Sequence, residues 1–239
     1  MELETVVLTG GFGSRLRSVV SDRPKPMALV RGRPFLEWIL LELYRVGVRR
    51  IILSIGYLGE QIQSYFGDGC QWNLDIVYVR ESEPLGTGGA IQYALPYIQG
   101  QSFLVLNGDS LCQFELQQLM EIRDRYQAKA AIWLAKVENS DRYGSVKINE
   151  NNAIVGFYEK SQTIKTGLIN AGVYLLTKDN FSCPSGKIPW SIEKDIFPQL
   201  VGSDLYGVIG DDIFIDIGTP ESYLAADSFL RQYWQNRQI

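Results

Sequence analysis

Thr5-Val6-Val7-Leu8-Thr9-Gly10-Gly11-Phe12-Gly13-Ser14-Arg15-Leu16 is the stretch whose reading decides the fold. Thr5 to Leu8 form an apolar strand that runs directly into a loop with glycines at 10, 11 and 13. With no Cβ in the way, such a loop lets backbone N–H groups close on a bound phosphate. Arg23-Pro24-Lys25-Pro26-Met27 follows, so Arg15 and Lys25 add fixed and mobile positive charge beside it. The loop reads as a polyphosphate cradle.

Two familiar cradles are excluded. No Gly-Lys-Ser/Thr closes the loop, so it is not a P-loop. Leu16 stands where a dinucleotide fingerprint has its third glycine, and the ribose-binding acid expected about 20 residues on has no clear candidate, since Glu37 falls in a helical pattern. The remaining alternative is a tight strand-to-helix turn that binds nothing. The arginine, the lysine and the two prolines weigh against it.

Bulk properties agree with a local anion site. The chain has 239 residues, enough for a full α/β core, with 46% hydrophobic and 21% charged residues. A net charge of −4 argues against a nucleic-acid partner, which needs a basic surface. Yet Arg15, Arg17, Arg23, Lys25, Arg31 and Arg33 crowd one segment against the single acid Asp22. Cys70, Cys112 and Cys183 have no C-x-x-C spacing and predict reduced thiols in a cytoplasmic protein. The acidic start Met1-Glu2-Leu3-Glu4 reads as strand, not as signal peptide, and no apolar run spans a membrane. The chain has no histidine, which removes Ser-His and Cys-His catalysis, histidine bases and histidine metal sites together.

Strand and helix patterns then alternate. A helix is expected from Pro34 to Val46, with strands at 50–55, 75–79 and 102–106 and helices at 59–66, 87–97 and 115–126. This βαβ series predicts an α/β fold with a mainly parallel central sheet and helices on both faces. Strand patterns at 130–137, 145–148, 153–158 and 169–176 predict added strands, some antiparallel, forming a lid or sugar-side subdomain. A buried strand at 213–217 precedes a C-terminal helix from Pro220 to Trp234, capped by Thr219. One domain is expected over 1–239, with the nucleotide half at 1–130 and the second half at 131–239.

Asp109 and Asp216 follow apolar strands, where open α/β sheets bind their ligands. Taken singly, Asp109 reads as a turn residue and Asp216 as a helix-entry acid. Together with the phosphate loop they read as a Mg²⁺ site, since magnesium takes one or two carboxylates plus phosphate oxygens. Glu83 opens a second glycine-rich turn, Glu83-Pro84-Leu85-Gly86-Thr87-Gly88-Gly89-Ala90. A carboxylate accepts two parallel bonds from the N1–H and N2–H₂ edge of guanine but only one from uracil or thymine. Glu83 therefore favours guanine, the alternative being a solvated turn acid.

These segments, with Asn107-Gly108-Asp109, Tyr143-Gly144, Glu159-Lys160, Asn170-Ala171-Gly172 and Asp216-Ile217-Gly218-Thr219-Pro220, resemble the sugar-1-phosphate nucleotidyltransferases over nearly the whole chain. Within that family the chain looks most like the D-glycero-α-D-manno-heptose 1-phosphate guanylyltransferases. The resemblance implies a Rossmann-like nucleotidyltransferase fold and an enzyme that joins GMP from GTP to a sugar 1-phosphate, releasing pyrophosphate. By the same resemblance Gly11, Gly13 and Arg15 would hold the triphosphate, with Leu8, Gly10 and Ser14 beside them and Lys25 at the reacting phosphates. Glu83 and Gly88 would read the base, and Asp109 and Asp216 would bind Mg²⁺. Gly144, Glu159, Asn170 and Gly172 would meet the sugar, and Lys160 its phosphate. Mannose or glucose 1-phosphate with GTP, UTP, dTTP or CTP stays open, as does a non-catalytic sugar-nucleotide-binding subunit. The chain is expected as a monomer or homodimer.

Overall fold

Residues 3–137, 143–158, 167–181, 188–210 and 213–235 are described by a computed structural model of the chain. The first half contains β1 (Glu4–Leu8), β2 (Leu29–Val30), β3 (Arg33–Pro34), α1 (Phe35–Arg45), β4 (Arg50–Ile55), α2 (Gly59–Phe66), β5 (Asp75–Arg80), α3 (Gly86–Ala94), β6 (Ser102–Asn107), β7 (Ser110–Cys112) and α4 (Leu116–Tyr126). The second half adds β8 (Ala130–Val137), β9 (Ser145–Ile148), β10 (Ile154–Tyr158), β11 (Gly167–Thr177), α5 (Phe197–Leu200), β12 (Leu205–Ile209), β13 (Phe214–Asp216) and α6 (Pro220–Gln235).

The parallel strands lie in the order β5-β4-β1-β6, with Val6 opposite both Ile52 and Val105. The chain grows outward from β1 through β4 to β5, then returns to the other side of β1 as β6. That reversal makes a crevice at the carboxyl ends of β1 and β6, where ligands of such sheets bind. The second half extends the same sheet: β11 pairs antiparallel with β6, and β8 and β9 pair antiparallel with β11. β12 closes the far edge parallel to β8. β7 and β13 form a separate antiparallel ladder that sets Asp216 opposite Ser110.

Alternation along the strands divides the core. Val7, Ile51, Leu53, Leu104 and Leu106 face one layer, packed under Phe35, Leu36, Ile39 and Leu43 of α1, Leu119 of α4 and Leu230 of α6. Val6, Ile52, Phe103 and Val105 face the other, under Ile91 and Ala94 of α3 and Ile192, Ile196 and Phe197. Strands buried on both faces read as continuous apolar runs, as Arg50 to Ile55 does. No helix among the described residues is long and apolar enough to cross a membrane.

Pro34 is a correction. It was expected as the first helical residue, but it pairs with Leu29 in β3 and has extended backbone, ψ 140°. Phe35 donates its N–H to the Ala28 carbonyl, so the hairpin holds Pro34 outside the helix. Thr219 caps α6 as expected, its Oγ1 accepting from the Ser222 N–H at 3.3 Å. Cys112 is buried, which pushes its thiol pKa up, and Cys70 is exposed. Cys183 and the side chain of Trp234 lie outside the described residues.

Candidate active site

Two adjoining cavities open at the switch point. The first, of about 230 Å³, is lined by Leu8, Thr9, Gly11, Gly13, Ser14, Arg15, Lys25, Pro26, Gly108, Asp109 and Gly218. The second, of about 350 Å³, is lined by Leu8, Gly10, Gly11, Phe12, Glu81, Pro84, Gly86, Thr87, Ala90, Asn107 and Asp109. They share Leu8, Gly11 and Asp109, so one ligand of nucleotide size reaches both.

The first cavity has the chemistry of a polyphosphate site. Gly13 takes a positive φ of 59°, a conformation that a side chain disfavours, and so turns the loop over Lys25. Lys25 is nearly buried and donates to Asp109 Oδ2 at 2.5 Å. Of the six clustered cations only Arg15 and Lys25 line the cavity. Arg23 pairs with Asp22 at 2.7 Å, Arg33 with Glu37 at 2.9 Å and Arg31 with Asp227 at 3.8 Å. Arg17 lies 4.7 Å over the Tyr57 ring. The basic segment therefore supplies two charges to the site.

Asp109 lies in the turn between β6 and β7 and Asp216 ends β13, and the two have different surroundings. Asp109 sits on the cavity wall, with Oδ1 accepting from Ser110 Oγ at 3.1 Å. The Ile217 N–H donates to the Asp109 carbonyl at 2.9 Å, which brings the Asp216 hairpin alongside. Asp216 is buried; its Oδ1 accepts from the Gly218 N–H at 2.6 Å and its Oδ2 from the Tyr143 hydroxyl.

The second cavity corrects the assignment of its acid. Glu83 is exposed and lines neither cavity, only a neighbouring pocket that Glu81 also lines, so the burial that its guanine argument required is absent. Glu81 lines the second cavity where Glu83 does not. It directly follows β5, accepts from Ser54 Oγ at 2.8 Å and from the Leu85 N–H at 3.3 Å, and packs against Gly10. The signal was present in the sequence, because Glu81 follows a strand as Asp109 does. Gly88 is also displaced from the cavity: a Cβ there would overlap the Trp190 indole, so its role is helix packing. Gly86 and Thr87 line the cavity instead. Phe12, missed by sequence reasoning, lies half exposed at the mouth, 5.5 Å from the Tyr57 ring.

On the expected sugar side, Gly144, Asn170 and Gly172 line neither cavity. Asn170 turns inward, donating to the Tyr174 hydroxyl at 3.0 Å and accepting from the Gly172 N–H at 2.8 Å. Glu159 and Lys160 lie outside the described residues.

Comparison with known proteins gives this arrangement a family. The family profile described as nucleotidyl transferase matches residues 4–233. A D-glycero-alpha-D-manno-heptose 1-phosphate guanylyltransferase of Aneurinibacillus thermoaerophilus is 38% identical over 97% of this chain and 100% of its own length. A mannose-1-phosphate guanylyltransferase of Mycobacterium tuberculosis is 33% identical over 96% of this chain and 65% of its own length. The crystal structure of HddC from Yersinia pseudotuberculosis complexed with GMP-PN matches with a TM-score of 0.84 at 35% identity, covering 95% of this chain and 99% of that one. A glycine-loop cavity at the switch point, on a chain matched along almost its whole length, makes this protein a member of the nucleotidyl transferase family.

Proposed function

We propose that this chain transfers GMP from GTP to a heptose 1-phosphate, releasing pyrophosphate and forming a GDP-sugar. The observation that carries the base assignment is Glu81, an acceptor-only carboxylate that lines the second cavity. Guanine offers it two parallel N–H donors, whereas a pyrimidine imide offers one. An unmatched carboxylate in such a site costs on the order of 1–3 kcal/mol. The heptose rests on likeness to relatives of this chain's own length.

No base is needed for the chemistry, which suits a chain without histidine. A phosphate oxygen of the sugar 1-phosphate, anionic near neutral pH, forms the new bond to the α-phosphorus. The bond from that phosphorus to the β-phosphate bridging oxygen breaks, and its electron pair leaves with pyrophosphate. What the protein must do is relieve repulsion between two anions and hold them in line at about 3–3.5 Å. Arg15 and Lys25 put positive charge at the first cavity, and the glycine loop offers its N–H groups. The Asp109 carboxylate holds Lys25 at 2.5 Å, so that charge is placed before substrate arrives.

Asp109 and Asp216 fit a magnesium ion: both are hard oxygen donors, Asp109 on the wall of the anion cavity and Asp216 buried beside it in the β7–β13 ladder. Asp109 would bind it from the cavity wall and Asp216 from the β7–β13 hairpin. Bound there, magnesium would neutralise phosphate oxygens. Purified chain incubated with each pairing of GTP, UTP, dTTP or CTP with heptose, mannose or glucose 1-phosphate tests the reading. Pyrophosphate should appear fastest from GTP and heptose 1-phosphate. Faster release with UTP, or none with any pair, overturns it.

A further inference from the structure

A carboxylate outside both cavities is bonded to the lining of the second. Glu193 lies on the π-helical turn Ile192–Ile196 and collects three hydroxyl donors. Thr87 Oγ1 and Ser191 Oγ donate to its Oε2 at 2.7 and 2.6 Å, and the Tyr174 hydroxyl donates to its Oε1 at 3.2 Å. A carboxylate only accepts, so the direction of every bond in the cluster is fixed. Tyr174, fully buried, spends its one proton on Glu193 and must accept elsewhere. It accepts from Asn170 Nδ2 at 3.0 Å, and the Asn107 side chain lies near enough to act on the same phenol. Burial, and then the Glu193 charge, push the phenol well above its usual pKa, so it keeps that proton at any working pH.

Asn107 is the member of this chain that faces ligand. It ends β6 and lines the second cavity, which holds Glu81 and Asp109 as well. β11 breaks its pairing with β8 between Asn170 and Tyr174, and Gly172 there has a φ of 75°. A Cβ on Gly172 would stand 2.7 Å from Asn107 Nδ2, so the amino end of Asn107 points at β11. Its carbonyl end is then the acceptor left for a ligand. Thr87 also lines the cavity, but its hydroxyl donates to Glu193 and accepts from the Ile192 N–H at 3.0 Å. If Glu81 takes the base and Asp109 marks the phosphates, the group beside Asn107 is the ribose.

We infer that Glu193 is a positioning residue for ribose recognition, acting through Tyr174 to orient the Asn107 amide as an acceptor for a ribose hydroxyl. This rests on the nucleotide reading given above, and deepens it: the donor must be a ribonucleotide. A glutamine at 193 can offer N–H to Tyr174 and reverse the chain of bonds, and a phenylalanine at 174 removes its middle link.

The test compares kcat/KM for GTP, 2′-deoxy-GTP and 3′-deoxy-GTP by pyrophosphate release, in wild type, Glu193→Gln, Tyr174→Phe and Asn107→Ala. Wild type should prefer GTP over at least one deoxy form by about 10-fold, the worth of one hydrogen bond to a well-held acceptor. That preference should fall toward unity in all three variants, while the preference of GTP over UTP stays. Combining Glu193→Gln with Asn107→Ala should change the ratio no further than Asn107→Ala alone. A purely structural role would slow GTP and its deoxy forms equally and leave the ratio intact. Active wild type with no ribose preference, or variants that keep it, overturns the inference alone. Wild type that releases no pyrophosphate from any triphosphate removes the functional reading, and the inference falls with it.

Discussion

The parallel half and the antiparallel half of the sheet contribute to the site in different ways. On the parallel side, ligand-facing groups sit at strand ends: Thr9 after β1, Glu81 after β5, Asn107 and Asp109 at the end of β6. They are joined across strands, since Thr9 donates to the Ser54 carbonyl and Ser54 Oγ donates to Glu81. On the antiparallel side, Asn170 and Tyr174 point inward, pair with each other and line neither cavity. One half lines the cavities and the other lies behind that lining. Substitutions at the strand ends should therefore alter rate and specificity, and substitutions behind them should alter orientation or stability.

The largest effect should come from Asp109→Asn, which removes charge from the cavity wall and from Lys25 together. Turnover should fall by roughly 10²–10³-fold at saturating magnesium, and an initial-rate assay checks it. Near-normal turnover would break the claim that strand-end acids do the chemistry. Next is Glu81→Gln, which offers both a donor and an acceptor to the base edge. The ratio of GTP to UTP rates should fall by about 10-fold or more, while Glu83→Gln should leave it unchanged. An effect at Glu83 and none at Glu81 would restore the assignment the structure displaced.

Behind the strand ends, Gly88→Ala should act on stability. The new methyl meets the Trp190 indole, and denaturant unfolding should show a loss of about 1–3 kcal/mol. The smallest effect concerns pH. Burial and then the nearby Asp68 charge raise the Tyr78 phenol to about 12 from 10.0. The unfolded chain ionises first, so the stability held below pH 10 is lost as pH rises toward 12. Tyr78 is partly exposed, so its contribution is discounted below the roughly 1.4 kcal/mol per pH unit of a fully shielded group. Urea midpoints at pH 9 and 11 should drop less in Tyr78→Phe than in wild type.

The parallel half was legible because its signals are local. A β-run into glycines, an apolar helix face and an acid after a strand each lie within a dozen residues, and β1, β4, β5 and β6 fall within a residue or so of their expected bounds. Glu81 was missed for want of consistency: the strand-end rule applied to Asp109 applied equally to it. What sequence could not supply was non-local. Nothing in Ser191-Ile192-Glu193 says that its carboxylate meets Thr87, 106 positions earlier. Nor does the composition of residues 15–33 reveal that Asp227 and Glu37 take up Arg31 and Arg33. Pairing between distant segments depends on the finished fold.

The central claim is that the switch-point cavities hold a guanine nucleotide, base against Glu81 and phosphates on the Gly11–Arg15 loop. A crystal structure of this chain with a non-hydrolysable GTP analogue and magnesium tests it most directly. The account predicts the N1 and N2 edge of guanine on the Glu81 carboxylate, the ribose beside Asn107 and the phosphates between Arg15 and Lys25. A nucleotide bound elsewhere, or one whose base edge meets Glu83 in place of Glu81, would contradict it.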